Sequence, residues 1–195
     1  VSLLAAAMTE PCAVAYHAAA RPSVSPGMSA AVIGGGPIGV MTAQWLKLRG
    51  CSPVVVSEMD ERKRAVARDL GLATVDASVD PVSAIRELTN GGADIVVEAC
   101  GLPVTFQQAL ASASIHGQVV FLGNIHGTFT LGEQSFSSIL RRELTIYGTW
   151  NSKIEPRGAD EWTRVLAAID RAVHVTPLVS HTPRLEDAAQ TLAAM

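Results

Sequence analysis

Short apolar runs alternate with segments of helical period along most of the chain. Val32-Ile33 leads into Gly34-Gly35-Gly36-Pro37-Ile38-Gly39. Ile38, Met41, Thr42, Trp45, Leu46 and Leu48 then recur on a helical spacing that stops at Gly50. This predicts a strand, a glycine turn and a helix. Pro37 suits the first helical turn, where a missing N–H costs nothing, and Gly50 suits the stop. Pro53-Val54-Val55-Val56-Ser57 is a second run, β-branched as a strand covered on both faces requires. Asp60 can cap a helix that runs to Leu70 and closes at Gly71. The alternation continues with a strand at Thr74-Val75, a helix from Pro81 to Leu88 ended by Asn90-Gly91-Gly92, a strand over 94–98 and a helix from Pro103 to Ser112. A fifth strand is predicted over 118–122, a helix around 136–141 and a sixth strand over 144–147. Two more helices are predicted over 158–172 and 185–195. Residues up to about Ala20 read as a helical lead-in, and 22–27 as a linker.

Strand and helix alternating at this spacing imply an α/β fold, with a parallel sheet and helices on both faces. Six strands that open on a glycine-rich turn predict the doubly wound Rossmann order 3-2-1-4-5-6. At roughly 150 residues per domain, 195 residues make one generous domain with short extensions. The predicted divisions are a lead-in and linker over 1–27, a nucleotide-binding unit over 28–150 and terminal helices over 151–195.

Apolar residues make up 48% of the chain and charged residues only 17%, against roughly a quarter in typical domains. That excludes disorder and suggests that another surface covers part of this one. The net charge of −3 gives no basic bias toward nucleic acid or anionic membrane. No apolar run approaches the roughly 18 residues of a membrane span. Cys12, Cys51 and Cys100 are odd in number and far apart, so no disulfide framework or zinc knuckle is expected, and a reducing cytoplasmic setting is. The opening apolar run to Met8 lacks a basic leader and meets Thr9-Glu10-Pro11, unlike a signal peptide.

The chemistry sits in Gly34-x-Gly36-x-x-Gly39, between a strand and a helix. Gly34 permits the tight turn, Gly36 lets backbone approach a pyrophosphate, and Gly39 lets helix and strand pack closely. Amides at the helix start attract the phosphates. Glu58 ends the second strand 19 positions after Gly39. Such an acid accepts hydrogen bonds from ribose hydroxyls and repels a 2′-phosphate, which favours NAD over NADP. Arg62-Lys63-Arg64 is the opposing signal. It is either a phosphate cluster or a solvated helix face.

These residues resemble the nucleotide-binding half of the zinc-dependent medium-chain alcohol and polyol dehydrogenases. Gly-x-Gly-Pro-Ile-Gly is the family's form of the loop. Glu10-Pro11-Cys12-Ala13-Val14-Ala15-Tyr16-His17-Ala18 is similar to its Glu-Pro-x-x-Val-x-x-His-Ala stretch, and Val97-Glu98-Ala99-Cys100-Gly101 to its fourth strand end. The run over 139–150, followed by Asp160-Glu161-Trp162, is similar to the galactitol-1-phosphate dehydrogenase branch. The resemblance implies a polyol or polyol phosphate oxidised by NAD. Zinc, acting as a Lewis acid, would lower the pKa of the bound alcohol before hydride leaves. It also implies that the zinc-binding unit is absent from this chain, which then reads as a fragment that supplies the cofactor without holding the metal. Gly34, Gly36, Pro37, Ile38 and Gly39 would line the pyrophosphate, and Glu58 and Lys63 the adenosine end. Ala99 and Cys100 would lie along the cofactor. Leu122, Gly123, Thr149 and Trp150 would approach the nicotinamide, and Glu10 would sit near the catalytic zinc. A homodimer paired through the sixth strands is the implied assembly.

Other residues read more plainly. His17 falls on an apolar helical stretch and suits a hydrogen-bonded core position. His116 suits a turn before Gly117, and His126 follows the fifth strand, where α/β sheets bind ligands. The histidines form no metal-spaced set, so no zinc is expected on this chain. Cys100 has no paired base, Ser137-Ser138 has no nucleophile-elbow context, and Trp45 suits core packing. Trp150 and Trp162 suit a domain or subunit contact. The alternative is a free-standing NAD(H)-sensing module. That reading calls for an output element, such as a basic DNA-reading helix or a dimerisation coil, and the sequence shows neither.

Overall fold

The computed structural model describes residues 1–155 and 160–193. Its centre is a six-stranded sheet, with β1 Ala30–Ile33, β2 Val54–Glu58, β3 Ala73–Asp76, β4 Ala93–Glu98, β5 Ala113–Phe121 and β6 Thr145–Gly148. The order is β3-β2-β1-β4-β5-β6, every pairing is parallel, and β6 forms one edge. The doubly wound order expected from the alternation is the order observed. Val32, Ile95, Val97 and Val120 point into one core, and Ala31, Ile33, Val96 and Val119 into the other. Both faces are covered, so the central strands carry apolar residues at successive positions rather than alternating ones.

The first face is covered by α2 Thr9–Ala20, α3 Pro37–Leu48, α4 Glu61–Asp69 and α8 Glu161–Ala168. Cys12, Met41, Leu46, Ala67 and Val165 are buried there. The second is covered by α5 Pro81–Leu88 and α6 Pro103–Ser112 through Ile85, Ala109 and Leu110. Short α1 Leu3–Ala7 precedes α2, α7 Glu133–Arg141 leads to β6, and α9 Ala188–Ala193 ends the described chain. Alanines 13, 15, 18 and 19 of α2 are buried, so the lead-in packs into the core rather than trailing from it. Ser23 and Gln118 exchange hydrogen bonds of 2.8 Å, which pins the 22–27 stretch to β5.

Three predicted elements differ in extent. The helix expected over 158–172 is α8, capped by Asp160 on the amide of Thr163, and it stops at Ala168. There Ile169 turns extended (ψ 132°) and bridges to Val173, so local pairing outcompetes another helical turn. The predicted start at Gly158 lies outside the described residues. Over 185–195 a 3-10 turn at Leu185–Asp187 precedes α9, and the predicted end at Met195 is likewise outside them. Strand β5 begins five residues earlier than the apolar run, at Ala113. His116 adopts φ 60° inside it and donates its amide to the carbonyl of Arg142. The residue read as a turn is therefore a kink within the strand, where the register shifts.

Candidate functional site

The carboxyl ends of β1, β2, β4 and β5 meet at one edge of the sheet, around the glycine turn. Gly34 has φ +113° and donates its amide to the carbonyl of Ser57 at 2.9 Å. A Cβ on Gly39 would stand 2.0 Å from the carbonyl oxygen of Gly34, so helix α3 reaches β1 only because this residue lacks one. A Cβ on Gly36 would meet nothing within 4 Å. Gly36 is also the N-cap of α3, no side chain caps that end, and Pro37 occupies its first turn. The result is an open helix start with amides unclaimed by side chains, which is an anion cradle.

Glu58 closes this corner. Its Oε2 accepts the amide of Gly35 at 2.9 Å, and its Oε1 accepts the amides of Met59 and Asp60 at 2.8 and 3.0 Å. A Cβ on Gly35 would lie 2.8 Å from Cβ of Glu58, so the middle glycine of the run is required by this carboxylate. The sequence reading left Gly35 out of the site, although its signal stood in the triple glycine. Of the basic cluster, Arg64 is neither solvated nor open to a ligand. It is buried and donates to the carbonyls of Glu58 and Met59 and to Asp76, joining β2 to β3. Arg62 and Lys63 remain at the surface.

Two hollows flank the turn. One, of about 250 Å³, lies between Gly35, Pro37, Arg62, Lys63, Leu178 and Ser180. The other, of about 370 Å³, brings together Glu10, Ile38, Cys100, Gly123, Thr149 and Trp150, with Ala99 and Leu122 also in its wall. Residues from five separate stretches of the chain thus share one cleft. His126, Asn124 and Asn151 line it too, whereas Leu178 and Ser180 arrive in the first hollow from a distant loop with no sequence signal. A larger, polar depression of about 590 Å³ lies against α7. Its Arg142 is spent on the carbonyls of Leu110, Ala111 and Ala113, where it satisfies the carbonyl end of α6.

Behind the second hollow sits Glu98, fully buried at the end of β4. Its Oε1 accepts the amides of Cys100 and Gly101, both at 2.8 Å, and lies 2.7 Å from the hydroxyl of Thr105. Its backbone carbonyl accepts the amides of Leu122 and Gly123. One residue therefore shapes both strand-end turns of the cleft. The sequence reading quoted Glu98 only as part of a resemblance. The thiol of Cys100 is pushed up to about 11 by burial, then by the nearby charges of Glu98 and Glu58, against the opposing charge of Lys63. A protonated thiol of that kind is no nucleophile near neutral pH. The hydroxyl oxygen of Thr149 is buried without a hydrogen-bond partner among the described residues.

His17 bonds through Nδ1 to Oε1 of Glu161 at 2.7 Å, and Oε2 of Glu161 accepts the amide of Lys153. Trp162 donates to Ser152 at 3.0 Å, so α2 and α8 together hold the loop that carries Trp150. Trp150 itself is 77% exposed. Trp45 packs edge-on against Tyr16, with ring centroids 4.9 Å apart. Among the described residues no group of three or more His, Cys, Asp or Glu side chains is arranged to hold a metal ion. No helix among them is long and apolar enough to cross a membrane.

Comparison with known proteins places this arrangement. Residues 37–171 match the family described as zinc-binding dehydrogenase. Galactitol 1-phosphate 5-dehydrogenase of Escherichia coli K12 is 29% identical over 192 residues, covering 95% of this chain and 55% of the relative. The solved 2R,3R-butanediol dehydrogenase of Bacillus subtilis superposes with a TM-score of 0.83 at 29% identity, over 95% of this chain and 52% of that one. A zinc-binding dehydrogenase candidate from Sinorhizobium meliloti 1021, bound to NADP, gives a TM-score of 0.86 at 29% identity, over 96% of this chain and 54% of that one. The chain spans about half the length of the curated relatives it matches.

Proposed function

Since this chain belongs to the zinc-binding dehydrogenase family, we propose that it is the nucleotide-binding part of an oxidoreductase acting on a polyol, polyol phosphate or related small alcohol, with NAD as its cofactor. The observation that carries the reading is the glycine corner. Space is open above Gly36, close contact is enforced at Gly39, and the Glu58 carboxylate holds the amide of Gly35 in the same turn. A diphosphate fits where a Cβ would meet nothing.

The residues divide by position. Gly34, Gly36, Pro37, Ile38 and Gly39 present backbone to the diphosphate. Glu58 accepts from a ribose hydroxyl through the lone pair its three amide donors leave unused, since a carboxylate offers roughly four. Lys63 and Arg62 border the adenosine hollow. Ala99, Cys100, Leu122, Gly123, Thr149 and Trp150 wall the cleft for the nicotinamide. Bound there, NAD supplies the acceptor for hydride. The wall excludes water, and the buried hydroxyl of Thr149 offers a polar anchor to an amide group. Glu10 faces the same cleft from α2 and would stand toward the reacting alcohol.

Zinc is a different matter. The family's metal finds no donor set among the described residues, so no step is assigned to it here. We read 28–150 as the cofactor unit, with 1–27 and 151–195 as segments that lead toward a catalytic unit. The exposed edge strand β6, with Ile146 40% exposed, is the surface for pairing with a second copy. The unpaired cysteines 12, 51 and 100 fit a reducing cytoplasmic setting.

NADH fluorescence enhancement on titration with this chain tests the reading, and saturable binding is the expected result. Alcohol oxidation by the chain alone is expected to be absent even with added zinc, and robust turnover would overturn the division of labour. Glu58→Gln should narrow the preference for NADH over NADPH, because the charge that repels a 2′-phosphate is gone.

A further inference from the structure

We propose that Glu98 is a buried anion that biases the cleft toward the positively charged, oxidised form of the nicotinamide cofactor. The inference rests on the nucleotide-binding reading above and adds a preference between the two redox forms. Glu98 is 0% exposed. Its Oε1 takes two backbone amides and faces the Thr105 hydroxyl, and hydrogen bonds donated to a carboxyl oxygen favour its charged form. None of the ion pairs among the described residues includes it. Its Oε2 is buried without a hydrogen-bond partner. That oxygen lies 2.5 Å from where a Cβ on Gly123 would stand, and Gly123 lines the cleft. That oxygen therefore packs against the backbone of a residue in the wall of the hollow, beside Gly101.

A buried charge without a counterion is unfavourable until a positive partner arrives. The oxidised nicotinamide ring is a cation and the reduced ring is neutral, so the charge acts on one form and not the other. Glu58 does not confuse the comparison, because it stands at the adenosine end, which both forms share. The Cys100 thiol, at the cleft wall, is raised first by burial and then by Glu98 and Glu58, with Lys63 opposing.

The experiment is calorimetric titration of the chain with NAD⁺ and with NADH, in the parent and in Glu98→Gln and Thr105→Val. Glu98→Gln should weaken NAD⁺ about tenfold more than NADH, the size of effect a fixed charge exerts through a protein-like medium. Thr105→Val keeps the charge and should change both affinities in step. A Glu98→Gln protein that loses both equally overturns the inference while leaving nucleotide binding intact. A parent chain that binds neither form overturns both readings. If Glu98→Gln does not fold, the same two titrations of Glu98→Ala decide: a larger loss for NAD⁺ than for NADH supports the inference, and an equal loss overturns it.

Discussion

Residue by residue, the glycine corner separates positions that build the fold from positions that leave room for a ligand. Gly39→Ala drives a methyl into the carbonyl of Gly34 and should cost roughly 3 kcal/mol in urea unfolding, at the upper end for overpacking. Gly36→Val faces open space, so it should unfold like the parent while NADH binding falls below detection. If Gly36→Val bound NADH normally, the diphosphate would not lie over this turn. Gly34, Gly36 and Gly39 were legible because their spacing is itself a geometric requirement. Gly35 and Glu98 were not. The contacts that need them, Gly35 against Glu58 and Glu98 against Gly123, span 23 and 25 positions of sequence, counted from the residue numbers. Arg64 shows the opposite failure. Read in a row with Arg62 and Lys63, it belongs to a charged face, but it is in fact the buried link between β2 and β3. Arg64→Ala should cost about 2 kcal/mol, the scale of hydrogen bonds from a charged group, without altering cofactor affinity.

At the scale of elements, the strands were the most legible part, since a sheet covered on both faces forces short runs of Val, Ile and Ala bounded by turn residues. The helices α5 and α6 fall at the limits read from sequence, where prolines fix the starts. Strand β5 was truncated in the reading because His116 and Gly117 look like a turn. Only pairing with β4 and the carbonyl of Arg142 keeps that kink in the sheet. The α2–α8 contact was invisible. His17 and Glu161 lie 144 positions apart, yet they join the lead-in helix to the loop bearing Trp150. Removing the acceptor with Glu161→Leu should loosen that loop. The expected readout is faster amide exchange at Lys153, together with weaker NADH binding and an intact far-UV spectrum.

The molecule as a whole should respond to pH at both ends of the scale. The thiols of Cys12 and Cys51 are each raised to about 11, chiefly by burial. Keeping them neutral stabilises the fold fully below the unfolded thiol value of about 8.5, and that contribution is lost as pH rises toward 11. Melting temperature should therefore fall across this window, and less steeply in Cys12→Ala/Cys51→Ala protein. At the acid end, Asp80 and Asp160 are lowered by the Ser83 and Thr163 hydrogen bonds of their helix caps, and Asp76 by those of Ser78. Their contribution is present above about pH 4 and is lost as pH falls below the unfolded carboxylate range. The sequence by itself determined the layered architecture, the strand order and the location of the glycine corner, because periodicity and glycine spacing are local consequences of backbone geometry. Tertiary structure alone decided which carboxylate is buried, which arginine is a strut and which distant loops wall the two hollows. Burial and charge environment depend on what the rest of the chain brings alongside, and no local pattern records that.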